Sequence, residues 1–461
     1  MDTTQANTLR IGCAAGFSGD RTDAALPIVQ EFIAAGKPSV LMFETLAERT
    51  LALAQLARRG DPDAGYEPLL DDLLRPVLAL CLEHGIRIVS NFGAANPRGA
   101  ARRILALAEE LGAPRPRIAV VEGDDLLADE FRPMLVEALG ARLPRESIVS
   151  ANAYIGAEPI ANALKAGADI VVCGRVADPS LVLGPAIAHF GWSMDDWQRL
   201  ARATMAGHLL ECGSQVSGGY FADPGFKDVP DLAHVGYPIA ELDSDGHCTI
   251  SKPAGTGGRI DARTVKEQLL YELHDPAAYL TPDVVADITQ ATVQEIGVNQ
   301  VRLEGVAGHA RPPSLKVNVC FEAGWFAEAE ISYAGAGAGA RALLAARVVR
   351  ERLGGSGDVA PIRVDLIGVQ SLFGDDANEW LDSASAEQLA EWGAARDVRL
   401  RLSWQRERRD DALRLAREVN ALYCAGPAGG GGVRTHLRAR LGTVSCLVPR
   451  DAVKARFEFV A

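Results

Sequence analysis

The residues best suited to chemistry lie in the segment AGHLLECGSQVSGG, where a histidine, a glutamate and a cysteine fall within one helical turn. His208, Glu211 and Cys212 are spaced i, i+3 and i+4, so a helix would place them on one side. A carboxylate hydrogen-bonded to an imidazole tunes proton transfer, which predicts a catalytic acid/base pair with a thiol beside it. The alternative is a capped helix with a buried cysteine. The spacing also resembles that of metal ligands, but the second histidine of the zinc protease motif is absent.

A second polar group follows an apolar run in the segment ADIVVCGRVADPS. Ile170–Val172 has the composition of a buried strand, which ends at Gly174 before Pro179 opens a helix. Between them lie Arg175 and Asp178. A guanidinium can bind a carboxylate or phosphate in bidentate fashion, so we predict that Arg175 binds substrate and that Asp178 is catalytic. The alternative is an internal ion pair in which Asp178 caps the helix.

The same pattern occurs upstream. Strands are predicted at Leu9–Gly12, Ser39–Phe43, Ile86–Ser90, Arg117–Val121 and Ser147–Ser150. Polar and glycine residues follow each of them, in GFSGDR, ETLAE, NFGAANP, EGDD and NAYIG. Strands that alternate with helices pair in parallel, and ligands bind at the carboxyl ends of such strands. We therefore predict one substrate site that includes Asp20, Glu44, Asn91 and Asn152, against the alternative that these loops are polar only as turns and caps.

The glycine loop KPAGTGG is a third candidate. Backbone N–H groups of such a loop can hold an anion, and a lysine adds positive charge. We predict that Lys252, Gly255, Thr256 and Gly257 bind substrate. The alternative is a flexible hairpin loop. The sequence has neither a P-loop nor a dinucleotide-binding fingerprint, so nucleotide binding is not predicted.

Together these elements predict an α/β fold, with a parallel Rossmann-like sheet of about six βα units followed by an α+β region with antiparallel strands. The expected domains are residues 1–190, a lobe at 191–355 that completes the site, and a C-terminal α/β segment at 356–461 with a glycine-rich loop. An alternating run at Gln300–Glu304 indicates an antiparallel strand. The segment Tyr271–Asp287, rich in proline and aspartate, predicts an irregular crossing on the surface.

The composition of the chain argues against several classes of function. The chain has 461 residues, with 60 acidic against 47 basic side chains and a net charge of −13, which argues against nucleic acid and membrane partners. The N-terminus does not resemble a signal peptide and no apolar run is long enough to span a membrane, so we expect a cytoplasmic protein. Eight scattered cysteines lack zinc spacing. No cofactor or metal site is predicted, a need for a divalent metal is left open, and small residues at Ala334–Gly339 suit a homo-oligomer interface.

Many of these motifs together resemble the acyclic terpene utilisation (AtuA) family. The resemblance begins with GFSGDR, FETLAERT, NFGAANP, VVEGDDL and NAYIGAEPI. It continues through GRVADPSLVLGP, AGHLLECGSQVSGGYF, VGYPIAE, KPAGTGG, VKEQLLYELHDPAAYLTPDVV, SLKVNVC and GPAGGGG. It implies bacterial catabolism of branched acyclic terpenoids and other branched acids through CoA thioesters, and it implies no catalytic residues.

From the residues and the resemblance together we expect a lyase or hydratase step on a branched carboxylate or acyl-CoA, with the CoA thioester as substrate. Two alternatives stay open. One is a non-catalytic or incomplete subunit that binds an acyl-CoA or a partner protein, and the other is a hydrolase or transferase that uses Cys212. Longer family members continue into a small ferredoxin-like domain without an obvious counterpart here, which a small second subunit could supply.

Overall fold

The computed structural model describes residues 8–354 and 361–460, which form two compact units. The first unit contains the described residues up to Pro144, then Ile148–Cys320, and those from Thr443 onward. The second contains Arg145–Ser147 and the described part of Phe321–Gly442. The chain therefore leaves the first unit and later returns to it, whereas the sequence prediction drew consecutive boundaries at residues 190 and 355.

Strands and helices are numbered in chain order. The strands are β1 Thr8–Cys13, β2 Ser39–Phe43, β3 Arg87–Ser90, β4 Ile118–Glu122, β5 Ile148–Ala153, β6 Ile170–Cys173, β7 Ile239–Asp243, β8 Cys248–Ser251, β9 Tyr279–Leu280, β10 Val285–Asp287, β11 Thr292–Gly297, β12 Gln300–Glu304, β13 Ala307–His309, β14 Ser314–Ala334, β15 Arg363–Ile367, β16 Asp397–Arg406, β17 Gly431–Pro449 and β18 Arg456–Phe459. The α-helices are α1 Ala25–Ala35, α2 Glu48–Gly60, α3 Leu70–Leu74, α4 Leu78–Glu83, α5 Pro97–Glu110, α6 Arg132–Leu139, α7 Glu158–Lys165, α8 Ser180–Phe190, α9 Trp197–Leu210, α10 Ala262–Leu270, α11 Ala338–Leu353, α12 Glu379–Asp382, α13 Ala386–Ala394 and α14 Arg409–Ala425. Among the described residues, no helix combines the length and the apolar character needed to cross a membrane.

The first unit is built on a ten-stranded sheet with the order β11-β12-β8-β7-β1-β2-β3-β6-β4-β18. Its central strands β1, β2, β3, β6 and β4 are parallel, and the flanking strands pair antiparallel. The structure is therefore a mixed α/β fold in which the predicted parallel sheet has five strands and not six. Strand β5 pairs with β14 instead, because β6 occupies the place beside β4. Hydrophobic periodicity identifies a strand but not its partner.

Both faces of the central sheet are buried. Successive residues of β2 alternate between two apolar clusters, with Val40 and Met42 in one and Leu41 and Phe43 in the other. This alternation follows from the two-residue repeat of a strand, and burial on both faces explains the continuous apolar runs in the sequence. Because the side chains within the sheet are apolar, polar groups enter only where the strands end.

Only the first part of the segment Tyr271–Asp287 is the irregular surface crossing that its composition predicts, because residues 271–278 form turns and are largely exposed. The rest contains β9 and β10, which pair with each other, and β10 also pairs with β13 in a small antiparallel sheet. Asp283 is buried there and accepts hydrogen bonds from the Ala157 N–H at 2.9 Å and the Ser180 hydroxyl at 2.8 Å. One aspartate thus bonds to residues at the beginnings of both α7 and α8, the two helices that flank β6.

The second unit has the element order β-α-β-β-α-β, formed by the later part of β14, α11, β15, β16, α14 and the first part of β17, with α12 and α13 between β15 and β16. Its strand order is β15-β16-β14-β17, which is the ferredoxin-like arrangement. Its apolar core includes Ile331, Val349, Leu400 and Leu415, from the sheet and both main helices. A motif of this class therefore lies within the chain, where no counterpart was expected from the sequence.

Candidate active site

The carboxyl ends of β2 and β3 are joined by two buried side chains, Glu44 and Asn91. Asn91 Nδ2 donates to Glu44 Oε1 at 2.7 Å, and the Leu46 N–H donates to the same oxygen at 2.9 Å. Asn91 Oδ1 accepts from the Thr45 N–H at 2.8 Å. Two residues predicted from separate loops therefore form one hydrogen-bonded cluster.

The ends of β4, β5 and β6 meet at the carboxylate of Asp124, which is buried. Its Oδ2 accepts from Asn152 Nδ2 at 2.8 Å and from the Arg175 N–H at 2.9 Å. A Cβ at Gly174 would lie 2.8 Å from Asp124 Oδ1, so glycine is required for this close approach. Asn152 Oδ1 is buried without a hydrogen-bond partner among the described residues.

Arg175 connects these two clusters. Its guanidinium is buried and donates to the carbonyl oxygens of Val176 and Leu46 and to the carboxylate of Asp178. It also lies 4.6 Å from the centre of the Tyr154 ring, within cation–π distance. The guanidinium that was predicted to bind substrate therefore donates these hydrogen bonds to the protein itself. We call Glu44, Asn91, Asp124, Asn152 and Arg175 the rim network.

Helix α9 brings the acid/base candidates to this rim. A Cβ at Gly207 would lie 2.7 Å from Pro179 Cα, so the helix packs directly against the residue after Asp178. His208 Nδ1 and Glu211 Oε1 are 3.0 Å apart and buried, as the i, i+3 spacing predicts. His208 Nε2 and Glu211 Oε2 are buried and have no hydrogen-bond partner among the described residues.

Burial sets the proton affinity of these groups. It raises the pKa of Glu211 to about 7, and the nearby His208 lowers this value only in part. Burial opposes protonation of His208, but the charge and hydrogen bond of Glu211, together with the backbone at Leu269 and Gln268, outweigh it and raise the histidine pKa. The pKa of Glu44 lies well above its usual range because of burial and the charge of Asp178, which also acts on Glu211. Glu44, Asp178 and Glu211 therefore share one electrostatic environment.

Cys212 and Asp20 lie at the end of β1. A Cβ at Gly16 would lie 2.4 Å from the Cys212 carbonyl carbon, so the two loops touch through their backbones. Asp20 accepts from the Gly16 N–H at 2.8 Å and from the Tyr237 hydroxyl at 2.5 Å, which fixes this loop. Burial and the neighbouring Glu211 raise the pKa of the Cys212 thiol to about 12. A protonated thiol is a poor nucleophile.

Sequence reasoning missed three side chains beside Asp178. The Tyr154 hydroxyl donates to Glu48 Oε1, and Lys316 Nζ lies 3.2 Å from that carboxylate and 4.6 Å from the Tyr154 ring. Although burial opposes ionisation of Glu48, these two hydrogen bonds lower its pKa to about 2. The Lys316 side chain is 48% exposed, so its ammonium is the cation at this position that a ligand can reach. Glu48 and Tyr154 follow strands already singled out, whereas Lys316 reaches the site through the pairing of β5 with β14.

Comparison with known families identifies one family over nearly the whole sequence. The model of the acyclic terpene utilisation family protein AtuA matches residues 9–459. The chain belongs to the AtuA family. No curated protein matches it.

The glycine loop of this AtuA family member is placed apart from the rim network. Lys252, Gly255 and Thr256 line a separate cavity of about 550 Å³ together with Arg10 and Glu241. Lys252 Nζ donates to the Thr256 carbonyl oxygen at 2.7 Å. The Gly257 N–H donates to the His234 carbonyl oxygen at 2.8 Å. Two of the groups that were expected to hold an anion, Lys252 Nζ and the Gly257 N–H, thus donate hydrogen bonds to carbonyl oxygens of the protein.

No cluster of three or more histidine, cysteine, aspartate or glutamate side chains placed to hold a metal ion occurs in the part of this AtuA chain that the structure describes. His208 and Glu211 form a pair and not such a cluster.

Titration of Asp124 should make the free energy of unfolding depend on pH. Burial raises its pKa to about 6 in the folded protein, against about 3.9 in an unfolded chain. The folded state therefore holds this proton more tightly, and the associated stability is fully present below about pH 4 and lost as the pH rises through 6. Asp124→Asn removes this titration. We expect the free energy of unfolding of the wild type, relative to that of the variant, to fall by about 3 kcal/mol between pH 4 and pH 7.

Urea unfolding at several pH values measures this difference. The matched control is Asp129→Asn, because Asp129 is an exposed aspartate that does not act on the pKa of Asp124. The control should follow the wild type across the whole range. A constant difference between the wild type and Asp124→Asn would contradict the assignment.

Proposed function

We propose that this protein catalyses a lyase or hydratase step on a branched carboxylate or its CoA thioester, with Glu211 and His208 moving the proton. One observation carries the proposal: a buried carboxyl with a pKa of about 7 pairs with an imidazole, and its second oxygen has no partner among the described residues. A general acid/base works best when its pKa lies near the working pH. Membership of the AtuA family supports a role in the use of acyclic terpenes.

The proposed elimination needs one carboxylate. Glu211 removes the proton from the α-carbon of a β-hydroxy acid or thioester, and His208 stabilises the protonated state of the pair. The bond between the β-carbon and its hydroxyl then breaks, a double bond forms, and Glu211 passes the proton to the departing hydroxyl, which leaves as water. Hydration is the reverse, with water giving its proton to Glu211 as its oxygen bonds to the β-carbon. No proton is gained or lost in either direction.

In this proposal the groups around Asp178 orient the substrate. Arg175 makes four hydrogen bonds to protein acceptors and is buried, so we assign the contact with the substrate carboxylate or thioester to Lys316, which pairs with Glu48 but is exposed. Arg175, Glu44, Asn91 and Asn152 then act by holding the loops that surround the substrate. Tyr279, whose ring centre lies 5.1 Å from that of His208, closes the apolar side of the imidazole.

The pH dependence of turnover tests the proposal. Because both directions begin with ionised Glu211, kcat/KM for elimination and for hydration should rise with pH and level off above about 7, the pKa of Glu211. The probes are 3-hydroxy-3-methylbutanoyl-CoA, 3-methylbut-2-enoyl-CoA and the two free acids. Absorbance of the conjugated product follows the reaction.

The variant His208→Gln tests whether Glu211 acts together with the imidazole or as a carboxyl on its own. Without the imidazole, the pKa of Glu211 should rise further, because His208 is the group that lowers it against the effect of burial. The pH profile should therefore move to higher pH while the plateau rate is partly kept. Absence of turnover with all four probes, or a flat profile in the wild type, would contradict the proposed function.

A further inference from the structure

The cavity of about 550 Å³ beside the glycine loop lies on the antiparallel side of the ten-stranded sheet, in the first unit. Arg10 of β1, Glu241 of β7 and Thr249 of β8 line it and lie directly opposite one another in register. Side chains that lie opposite one another in antiparallel strands point to the same face, so these three form the floor. The volume is within the range of about 300–1,000 Å³ that small-molecule sites occupy.

The two carboxylates of this cavity are balanced by cations of the protein. Lys37 Nζ lies 3.1 Å from Glu241 Oε1, and Arg10 Nη2 lies 3.3 Å from Glu31 Oε1. Arg10 is 7% exposed, and its Nε lies 3.7 Å from Glu241 Oε2, without a hydrogen-bond partner among the described residues. The buried guanidinium at the floor is therefore held by long contacts, and neither carboxylate is left without a cation.

Lys252, in the wall of the cavity, is a cation without a carboxylate beside it. Its Nζ donates to the carbonyl oxygen of Thr256 at 2.7 Å and to the hydroxyl oxygen of Thr256 at 3.2 Å. Burial lowers the pKa of Lys252, and no charged group in the described part of the chain acts on it. Neutral oxygens satisfy two of the three donors of an ammonium and do not cancel its charge. The cavity therefore carries positive charge that the protein leaves unbalanced.

The rest of the wall supplies neutral hydrogen-bonding groups and open space. Ser251 and Thr249 carry hydroxyls, and Asn299 carries an amide whose Oδ1 accepts from the Ile260 N–H at 2.9 Å. Gly255 has φ of +75°, and no atom outside its neighbours in the chain lies within 4 Å of the place where a Cβ would be. Lysine, hydroxyl and amide groups are the side-chain donors that bind phosphate oxygens.

We propose that this cavity binds the phosphate group of a small-molecule ligand, with Lys252 as its counter-ion and the hydroxyl and amide groups of the wall as further donors. The cavity shares no residue with the rim network, and the inference does not depend on the proposed function. Two sources supply such a group: a free phosphorylated metabolite and the CoA part of a thioester. The chemistry of recognition is the same for both, and the experiment separates them.

Calorimetric titration of the purified full chain with sodium phosphate tests the inference, at neutral pH and against sodium chloride of equal ionic strength. We expect saturable binding of phosphate and none of chloride. Lys252→Met should weaken phosphate binding about tenfold or more, the usual effect of losing a hydrogen bond from a charged group. The matched control is Lys266→Met, because Lys266 is an exposed lysine on α10 outside the cavity. This control should bind phosphate as the wild type does.

Asn299→Asp tests the site without disturbing the bonds between Lys252 and Thr256. The aspartate has nearly the same shape and can still accept from the Ile260 N–H, but it adds a negative charge to the wall, so phosphate should bind more weakly.

Coenzyme A that displaces phosphate and loses affinity in Lys252→Met would assign the site to a thioester, whereas coenzyme A that leaves phosphate bound would assign it to a separate metabolite. Absence of saturable phosphate binding in the wild type, or equal binding by the wild type and both cavity variants, would overturn the inference.

Discussion

Arg175→Met is expected to lower the free energy of unfolding by about 3–5 kcal/mol, the usual effect of removing one partner from a buried ionic cluster. The guanidinium donates to the carbonyl oxygens of Leu46 and Val176 and to Asp178. Methionine fills similar space but leaves two buried carbonyl oxygens unpaired and removes the cation beside the partly exposed carboxylate of Asp178, so the cost of their desolvation is no longer offset. Urea unfolding at neutral pH measures the change.

Arg199→Met is the matched control. Arg199 also contacts two carboxylates, those of Asp196 and Asp245, but its side chain is 40% exposed. Exposed ion pairs contribute about 0–1 kcal/mol, so this variant should remain close to the wild type. Arg175→Lys keeps the charge and loses the planar fork, and it should fall between the two. Equal effects of Arg175→Met and Arg199→Met would show that Arg175 does not hold the rim network together.

Glu211→Gln is expected to reduce kcat/KM by about 100- to 10,000-fold, the range that a positioned acid/base contributes. The amide has nearly the same shape and still reaches His208, but it cannot carry the proton between the α-carbon and the departing hydroxyl. The remaining activity should also lose its pH dependence near 7. Steady-state assays with 3-hydroxy-3-methylbutanoyl-CoA measure both effects.

Folding of this variant should be nearly unchanged. Burial already favours the neutral form of Glu211, so a neutral amide suits the site. Glu267→Gln, an exposed position on α10 paired with Lys227, is the control for loss of one negative charge. Full activity of Glu211→Gln would refute the role of Glu211. Loss of activity together with loss of folding would instead assign Glu211 a structural role.

The central fold could be predicted because a parallel sheet that is buried on both faces requires continuous apolar runs in the sequence. Apolar runs such as Ile170–Val172, followed by glycine and charge, identified strands and the edge at which they end. The partner of β5 could not be predicted, because its pairing with β14 joins segments that are far apart in the chain. The family, in contrast, was predicted from motif order and is confirmed over residues 9–459.

Some features of the candidate site could likewise be predicted from the sequence, and others could not. His208 and Glu211 could be paired from sequence because helical spacing alone brings them within 3.0 Å. The environment of Arg175 could not be predicted, because two of its acceptors are backbone carbonyl oxygens, which every residue has. The same reason explains the loop at Gly257, whose N–H reaches a carbonyl oxygen on another segment. Roles of individual side chains within the rim network remain predictions.

The position of β18 has a consequence for synthesis of the chain. This strand comes from the last residues described, yet it pairs antiparallel with β4, from the first third of the chain. Until β18 has been synthesised, β4 presents an unpaired edge, and such edges recruit other chains. The edge therefore stays open while the more than 300 residues between β4 and β18 are made, and protection by chaperones matters in that interval.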